Sequence, residues 1–457
     1  MGDSRPGRQA GHRASGPCRP QARESPMRHI AVIGAGITGI TTAYALSQKG
    51  YDVTVIDRQR YSAMETSFAN GGQLSASNAE VWNSWSTVLK GIKWMFTPDA
   101  PLLMNPMPSW HKYSWMAEFL ANIPNYEANT VETTRLAILA RNHMFDIAKR
   151  EGIDFNHETR GILHVYRDKE AQDHARKVSG LYARGGLERR EVTPEEIRAI
   201  EPTLHGSFYG GFFTPSDSTG DIHKFTYGLA EVCRRNGVRF INEASVERVR
   251  HTGTGEGGTG VEVSFTISPD AEDALPRRET LSFDGAVVCA GIGSRAIAAG
   301  LGDRVNIYPV KGYSITVMLD DEESQTSAPW VSLLDDKTKI VTSRLGKDRF
   351  RVAGTAEFNG ENRDIRADRI RPLVDWTRRL FPGVNTARVV PWAGLRPMMP
   401  DMMPRVAAGK RPGVFYNTGH GHLGWTLSCA TAEIIAAKVA DAMPVEAPVL
   451  TLPMAAE

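Results

Sequence analysis

The sequence has few cysteines and no long apolar run. Its four cysteines, Cys18, Cys233, Cys289 and Cys429, lie far apart and form no CxxC pair. This spacing argues against a zinc site or a disulfide framework and fits a reducing compartment. No apolar run reaches the roughly 18 residues that a membrane-spanning helix needs. We therefore expect a cytoplasmic protein with no transmembrane segment.

The chain also lacks an excess of either charge, with 54 basic and 52 acidic residues among 457. Five of the arginines but only two of the acidic residues lie in residues 1–26, so the rest carries 49 basic and 50 acidic side chains. Proteins that bind nucleic acid need a basic surface for the phosphates. We expect no nucleic-acid partner.

Residues 1–26 are rich in Gly, Pro, Ser and Arg and lack the apolar residues that would build a core or a secretory signal. Met27 stands just before the first predicted strand. Residues 1–26 are therefore either a disordered extension or the result of a start site placed too far upstream. We favour the second interpretation.

The most informative segment that is present, IAVIGAGITGITTAYALSQKGYDVTVID, covers residues 30–57. It predicts a strand, a glycine turn, a helix from about Thr38 to Lys49 and a second strand. Gly34 permits the tight turn, Gly36 lets a pyrophosphate approach the backbone, and Gly39 lets the helix pack closely on the sheet. Asp57 ends the second strand where a carboxylate accepts hydrogen bonds from a ribose diol. The unit predicts a dinucleotide ligand, although a purely structural glycine turn has a similar pattern.

The polar stretch after Asp57 is either a linker or a part of the ligand site. In a flavoprotein, such a segment supplies backbone donors to phosphates and to the flavin ring. The candidates are Ser67, Asn70, Gly71, Gly72 and Gln73.

Later segments predict two kinds of sheet. The segment AVVCAG at residues 286–291 reads as a buried parallel strand that ends in small residues, which permits a nucleotide to approach, although an ordinary buried strand reads the same way. Residues 308–317 alternate in polarity and carry Lys311 and Tyr313. With strands near residues 339 and 350–354, they predict an antiparallel sheet above a substrate site. Helices are predicted at 128–151 and 366–380.

Five of the nine tryptophans lie between residues 81 and 115. They are either packing residues of a second domain or an exposed aromatic surface for lipid. The residues that would form the lipid surface are Trp82, Trp85 and Trp94, with Lys90 and Lys93.

The segment VFYNTGHGHLGWTLS near the C-terminus predicts a strand at 414–417, a Gly-His turn and a helix that begins near Trp425. The helix N-terminus would stabilise negative charge that develops on a reduced flavin. His420 and His422 have no third metal-ligating residue nearby in the sequence, so we expect no metal site.

Together, the segments VTVIDRQ, ETSFANGGQ, GIKWMF, YPVKGYSIT, GLRPMMPD and NTGHGHLGWTLSC resemble the flavin-dependent D-amino-acid dehydrogenases of bacteria. These belong to the wider group of D-amino-acid, glycine and sarcosine oxidases. The resemblance covers nearly all of the chain from Met27 onward, but it is weak from 75 to 125 outside GIKWMF.

The resemblance implies FAD. The sarcosine branch attaches its flavin to a cysteine near the segment that corresponds to 392–401, and no cysteine is present there. We therefore expect FAD to be bound without a covalent bond. The expected cofactor-binding residues are Ile33, Gly34, Gly36, Ile37, Thr38, Gly39, Asp57, Arg58, Ser67, Asn70, Gly71, Gly72, Gln73, Val246, Ala290, Gly291, Gly421, His422, Leu423, Gly424 and Thr426.

The resemblance also implies two catalytic residues. Arg396 matches the arginine that pairs with the substrate carboxylate in the related oxidases, and a guanidinium can grip a carboxylate through two parallel hydrogen bonds. Tyr313 is expected to contact the carboxylate or the amine. The alternatives are an arginine that joins two loops and a tyrosine with only a packing role.

The expected fold is α/β, with a Rossmann-type FAD-binding domain and an α+β substrate domain that carries a mainly antiparallel sheet, as in D-amino-acid oxidase. We assign residues 27–75, 205–305 and 385–445 to the FAD-binding domain. Residues 76–204 and 306–384 form the substrate domain.

The implied reaction is the oxidative deamination of D-amino acids to 2-oxo acids and ammonia. The electrons pass to a quinone or another acceptor, with peripheral contact at the inner face of the cell membrane. The alternatives are an oxidase that releases peroxide, a D-proline or D-hydroxyproline dehydrogenase, an NAD-dependent dehydrogenase and a non-catalytic flavin-binding protein. The sequence leaves the preferred substrate and the oligomeric state open.

Overall fold

The predicted unit at residues 30–57 forms a parallel βαβ unit in the computed structural model. Strand His29–Ile33 pairs in parallel with Asp52–Ile56, and helix Ile37–Gln48 connects them. The structure describes residues 27–94, 101–255, 257–268 and 275–445. The predicted extension at 1–26 lies outside the described residues.

The strands of the described residues are β1 (His29–Ile33), β2 (Asp52–Ile56), β3 (Gln73–Leu74), β4 (Leu102–Met104), β5 (Ile162–Tyr166), β6 (Arg190–Val192), β7 (Gly210–Thr214), β8 (Ser218–Thr219), β9 (Arg239–Ile241), β10 (Ala244–His251), β11 (Val261–Ile267), β12 (Arg277–Phe283), β13 (Gly285–Val288), β14 (Tyr308–Met318), β15 (Ser332–Asp335), β16 (Ile340–Arg344), β17 (Arg349–Phe358), β18 (Val389–Met398), β19 (Arg405–Ala408) and β20 (Val414–Thr418).

The helices of the same residues are α1 (Ile37–Gln48), α2 (Trp85–Trp94), α3 (Trp110–Ala121), α4 (Tyr126–Glu151), α5 (Lys169–Arg184), α6 (Pro194–Ile200), α7 (Ile222–Arg235), α8 (Ser294–Gly300), α9 (Glu322–Ser327), α10 (Ala367–Leu380) and α11 (Gly424–Ala442).

The first sheet has the strand order β19-β20-β13-β1-β2-β9, and all its pairs are parallel except β19 with β20. Helices α1, α7 and α11 cover one face with a continuous apolar core. The small antiparallel sheet β10-β11-β12 and helix α8 cover the other. The predicted parallel strand at 286–291 is therefore confirmed, since β13 lies between β1 and β20.

The second sheet has the order β18-β14-β17-β16-β15-β5-β7-β6, and β4 pairs with β17. Most of its pairs are antiparallel; β15 with β5 and β17 with β4 are parallel. Helix α10 packs on one face, against the apolar side chains of β14 and β17. The antiparallel sheet predicted from 308–317 is confirmed.

The sheets do not follow the predicted domain boundaries at three places. Strands β7 and β18 belong to the second sheet, although they fall within 205–305 and 385–445, the ranges expected for the FAD-binding domain. Helix α4 contributes Met144 and Ile147 to the core beneath the first sheet, although it falls within the range expected for the substrate domain. These elements are assigned by their pairing and packing partners, which lie far away in the sequence.

Within the described residues, no helix combines the length and the apolar composition that crossing a membrane requires.

Candidate active site and cofactor cavity

The glycine turn after β1 is shaped by contacts that leave no room for side chains. Gly34 has a φ of 109°, and a Cβ there would lie 2.6 Å from the carbonyl oxygen of Cys289. A Cβ on Gly39 would lie 1.8 Å from the carbonyl oxygen of Gly34. Gly36 precedes α1 and offers no side-chain cap, while the hydroxyl of Ser67 accepts a hydrogen bond from the Ile37 amide at 3.0 Å. The Ile37 amide is therefore used, and the neighbouring amides of Gly36 and Thr38, which have no acceptor among the described residues, remain available to an anionic ligand.

Asp57 follows β2 and lies beside this turn. Its carboxylate oxygens accept hydrogen bonds from the backbone amides of Ala35 at 2.6 Å and Gln59 at 2.7 Å. Burial raises the pKa of Asp57, and these two amides oppose that rise. Each carboxylate oxygen has a second lone pair, so the group can still accept from a diol.

A cavity of about 700 Å³ begins at this turn and reaches the second sheet. Of the 21 expected cofactor-binding residues, Gly39 does not line it, because its role is the close packing of α1 on the glycine turn. The others line the cavity: Ile33, Gly34, Gly36, Ile37, Thr38, Asp57, Arg58, Ser67, Asn70, Gly71, Gly72, Gln73, Val246, Ala290, Gly291, Gly421, His422, Leu423, Gly424 and Thr426.

The loop at residues 69–72 has its carbonyl groups held by side chains of the second sheet and of α11. The carbonyls of residues 69 to 72 accept hydrogen bonds, in order, from Ser314, Arg351, Ser343 and Trp425. The carbonyls are therefore bound by the second sheet and by α11, and all four loop residues line the cavity. The Gly72 amide donates to Asn70 Oδ1 at 2.9 Å, so the predicted role of the loop as a source of backbone donors concerns its other amides.

Gln73 is placed differently from its neighbours. Its side-chain amide donates to the hydroxyl of Ser332 at 2.7 Å and to the carbonyl of Leu333 at 3.1 Å. The side-chain nitrogen thus joins the loop to β15, while Oε1 is buried and accepts no hydrogen bond within the described residues.

Arg396 lies on β18 at the cavity wall, opposite Val310 in the antiparallel pair with β14. Its guanidinium lies over Gly312, where a Cβ would be 2.3 Å from the guanidinium carbon. Within the described part of the chain, the guanidinium has no hydrogen bond and no ion pair. Burial lowers the pKa of Arg396 to about 10, so the group stays cationic near neutral pH. An unpaired cation enclosed in a cavity is a receptor for an anion.

Tyr313 does not lie beside Arg396. Residues paired across strands share a face, and neighbours alternate, so Gly312 faces Arg396 while Tyr313 faces away, with the core beneath α10. The Tyr313 hydroxyl donates to Glu357 at 2.6 Å. Lys311, on the same face, contacts that carboxylate at 3.0 Å. Tyr313 is among the residues that line the cavity, but its hydroxyl is engaged by Glu357, so its contact with substrate stays a prediction.

His422 lies in the turn between β20 and α11 and lines the cavity. Its ring stacks on Trp82, with centroids 4.8 Å apart and an interplanar angle of 22°. Burial and the charge of Arg396 lower the pKa of His422 to about 4. His420 points elsewhere, since its Nε2 is 2.9 Å from the Thr431 hydroxyl, and burial lowers its pKa to about 3. In the described chain, no group of three or more His, Cys, Asp or Glu side chains is arranged to hold a metal ion.

The cavity also includes residues that sequence reasoning missed. His164 and Ser77 lie 2.9 Å apart, Nε2 to Oγ, and the Ser77 amide donates to the buried carboxylate of Asp217 at 3.0 Å. Tyr182 and Arg189 line the same end of the cavity. They come from helix α5 and the strand region after it, and nothing local in those segments marks them as cavity residues.

The tryptophans between residues 81 and 115 do not all have the same environment. The sequence left open whether they pack in a second domain or form an exposed aromatic surface. Trp115 is buried, and Trp82 and Trp94 line the cavity. Trp85 is 63% exposed on α2, together with Leu89 and Ile92. Of the three tryptophans expected in a lipid surface, Trp85 is exposed, whereas Trp82 and Trp94 line the cavity. The lipid surface itself stays a prediction.

The chain matches a family model described as FAD dependent oxidoreductase over residues 29–438. It is 65% identical over 421 residues to D-amino acid dehydrogenase 3 of Mesorhizobium japonicum, covering 92% of this chain and 99% of that protein. It is 40% identical over 418 residues to the D-amino acid dehydrogenase of Paramagnetospirillum magneticum, covering 89% and 94% of the two chains.

Two solved structures have a similar fold. L-proline dehydrogenase from P. horikoshii has a TM-score of 0.68 at 14% identity, covering 91% of this chain and 94% of that one. Glycine oxidase from Geobacillus kaustophilus has a TM-score of 0.66 at 18% identity, covering 90% and 94%. At these identities the likeness concerns the fold.

Proposed function

The chain belongs to the FAD-dependent oxidoreductase family, and on that premise we propose that it is a D-amino-acid dehydrogenase. It removes hydride from the α-carbon of a D-amino acid, and water converts the resulting imino acid to a 2-oxo acid and ammonia. The observation that carries the proposal is the high identity to a D-amino acid dehydrogenase over almost the full length of both chains. The unpaired Arg396 in the cavity supports it independently.

The cofactor is FAD, and the residues present fit it. The crowded glycine turn, the uncapped N-terminus of α1 and the acceptor Asp57 form a cradle for a dinucleotide. The loop at 69–72 and the turn at 421–424 would hold the flavin end. When bound, FAD supplies a two-electron acceptor for the hydride.

We propose that FAD is held without a covalent bond. The three described cysteines, Cys233, Cys289 and Cys429, are buried. Burial raises the pKa of each thiol to about 12. A neutral thiol is a poor nucleophile, so none of the three is prepared to attach a flavin.

Arg396 binds the substrate carboxylate. The cation is fixed over Gly312, has no competing partner among the described residues, and carries donors that match two carboxylate oxygens. Fixing one end of the substrate restricts how its α-hydrogen can point, and such orientation is a large part of what an active site contributes.

The substrate amine has to be neutral before its α-carbon can release hydride. Transfer of an ammonium from water into a buried cavity lowers its pKa. The charge of Arg396, with no acidic partner among the described residues, acts in the same direction until the carboxylate of the substrate neutralises it. A dedicated general base is therefore not required.

We propose that the electrons pass to a quinone and that the protein attaches peripherally to the inner face of the cell membrane. Helix α2 supports this, because it buries no residue and exposes Trp85, Leu89 and Ile92 on one side. Lys90 and Lys93 lie on the same helix, and Lys90 lines the cavity. Apolar side chains beside lysines suit an anionic lipid surface.

Two alternatives stay within flavin chemistry: an oxidase that releases peroxide, and a dehydrogenase for cyclic imino acids. The test is anaerobic loss of the flavin absorbance with D-alanine and with D-proline, with L-alanine as control. We expect bleaching with D-alanine only, and dye reduction without stoichiometric peroxide in air. No bleaching by any D-amino acid would contradict the proposal, and bleaching with peroxide release would identify the oxidase.

A further inference from the structure

We propose that the side chain of His422 binds the α-amino group of the substrate, so that Arg396 and His422 hold the two charged ends of one zwitterion. The inference rests on the proposed function and deepens it, because it assigns the amine end of the site. The sequence places His422 only among the cofactor-binding residues. Four observations carry the inference.

The first observation is the proximity of the two segments. An isolated antiparallel bridge joins Met398, near the end of β18, to His420, at the start of the turn that carries His422. Arg396 and His422 both line the cavity. Arg396 is also close enough for its charge to lower the pKa of His422.

The second observation is the hydrogen bond of the ring. The Nε2 atom of His422 lies 3.4 Å from the carbonyl oxygen of Asn78. A carbonyl oxygen only accepts, so Nε2 carries the proton and Nδ1 has a free lone pair. Among the described residues, none donates a hydrogen bond to Nδ1. Nδ1 of this cavity-lining ring is thus an acceptor for which the described residues supply no donor.

The third observation is the charge state. Burial and the neighbouring Arg396 lower the pKa of His422 far enough to keep the ring neutral at physiological pH. Arg396 is only a donor and the Nδ1 atom is only an acceptor, whereas a substrate carboxylate is an acceptor and an ammonium is a donor. The pair therefore accepts an α-amino acid in one orientation, because the reverse orientation would place donors against donors.

The fourth observation is the stacking of the ring on Trp82, at 4.8 Å and 22°. Together with the contact to Asn78, it fixes the ring plane before a ligand arrives. A prepared acceptor loses little conformational freedom on binding.

The test compares two variants and two ligands. His422→Phe keeps an aromatic ring on Trp82 but removes the acceptor, and His422→Asn keeps an acceptor oxygen near the Nδ1 position. D-alanine has both charged ends, whereas propionate has the same carbon skeleton without the amine. We expect His422→Phe to raise the KM for D-alanine by on the order of 10- to 100-fold, the effect of a lost hydrogen bond to a charged group. The inhibition constant of propionate should change by less than about twofold, and His422→Asn should recover much of the loss.

A matched control is His223→Phe, because His223 is also a half-buried histidine that stacks on an aromatic ring, Tyr227, and it does not line the cavity. His223→Phe should change neither the KM for D-alanine nor the inhibition constant of propionate. FAD content and thermal midpoint are measured for each variant.

Three outcomes would overturn the inference: unchanged kinetics in His422→Phe, equal weakening of D-alanine and propionate, or loss of FAD with normal kinetics in the loaded fraction. The last would assign the ring to the cofactor. The proposed function is judged separately on the wild-type protein by flavin bleaching. If bleaching fails, the dissociation constants of D-alanine and propionate, read from changes in the flavin spectrum, still decide the role of His422.

Discussion

The guanidinium of Arg396 occupies the space that a side chain at position 312 would fill. A Cβ on Gly312 would lie 2.3 Å from its central carbon, and the antiparallel pairing of β14 with β18 fixes this contact. The glycine therefore positions the arginine, and the consequences of changing each residue differ.

Gly312→Ala should displace the guanidinium without unfolding the protein, because the far end of an arginine can move. We expect the KM for D-alanine to rise by about 10- to 100-fold, since small displacements of a binding group are costly. The thermal midpoint and FAD content should stay near wild type. The control is Gly180→Ala on α5, where an added Cβ meets no atom within 4 Å. A wild-type KM in Gly312→Ala would show that Arg396 is not a substrate contact.

Arg396→Lys keeps the charge but loses the two parallel hydrogen bonds. Because charge-assisted bonds to one carboxylate contribute about 1.5–3 kcal/mol each, we expect a KM at least about tenfold higher, with FAD still bound. Steady-state kinetics with an artificial electron acceptor measure this KM for D-alanine. Arg388→Lys is the control, since Arg388 is exposed and pairs with Asp320 near the start of the same strand. An equal effect of both substitutions would refute the assignment.

Tyr313→Phe should affect stability rather than substrate binding. The hydroxyl donates to buried Glu357, and although burial favours the neutral acid, hydrogen bonds from Tyr313 and Lys311 hold the pKa of that carboxyl below its ordinary value. Loss of one such bond should lower the free energy of unfolding by about 1–3 kcal/mol. Urea denaturation measures this, and the KM should stay within about twofold. A KM defect comparable to that of Arg396→Lys would restore Tyr313 to the substrate site.

Stability should fall as the pH drops below the ordinary pKa of histidine. Burial lowers the pKa of His164, His420 and His422 in the folded protein, so the unfolded chain binds more protons in acid. The stabilising effect of neutral histidine is complete above about pH 6.5 and declines toward pH 4, by up to about 1.4 kcal/mol per pH unit for each group.

His420→Gln keeps a nitrogen near Thr431. It should remove the contribution of one histidine to the pH dependence of the free energy of unfolding. Urea denaturation at pH 7 and pH 5 gives the difference between wild type and variant. Buried Asp57 and Asp217 have raised pKa values and act in the opposite direction, but they are the same in both proteins. If the free energy of unfolding changes equally between pH 7 and pH 5 in wild type and variant, His420 is not held neutral in the folded protein.

Replacing the exposed apolar residues of α2 should weaken membrane attachment. We expect the double substitution Trp85→Ser and Leu89→Ser to reduce co-sedimentation with anionic lipid vesicles several-fold while dye-linked activity persists. Val390→Ser is the control, because Val390 is 53% exposed on β18, outside α2. If wild-type protein does not sediment with the vesicles, peripheral attachment through this helix is wrong.

The sequence predicted the features that depend on local geometry. The spacing of Gly34, Gly36 and Gly39 determines a turn and a close helix contact within a few residues, so the cofactor cradle is recognisable from the sequence alone. Arg396 was found through a motif. Its position over Gly312 depends on strand register, which pairs residues more than 80 positions apart.

The features that the sequence missed depend on such long-range pairing. Alternation along 308–317 placed Lys311 and Tyr313 on one face, but it did not show that both side chains contact the carboxylate of Glu357, which lies on a strand about 45 residues further along the chain. Trp82 was grouped with its neighbours Trp85 and Trp94, although a stack on His422 forms only when the two ends of the chain meet. Strands β7 and β18 join the second sheet for the same reason, since nothing within them specifies their partners.

The carbonyl groups of residues 69–72, tied to Ser314, Arg351, Ser343 and Trp425, restrict how a substrate can enter. The loop connects the two sheets, so they cannot swing apart without breaking several bonds beside the flavin. Helix α2, in which no residue is buried, can move at lower cost. We therefore expect exchange of substrate and product to depend on movement of this helix, whose residues Lys90 and Trp94 line the cavity.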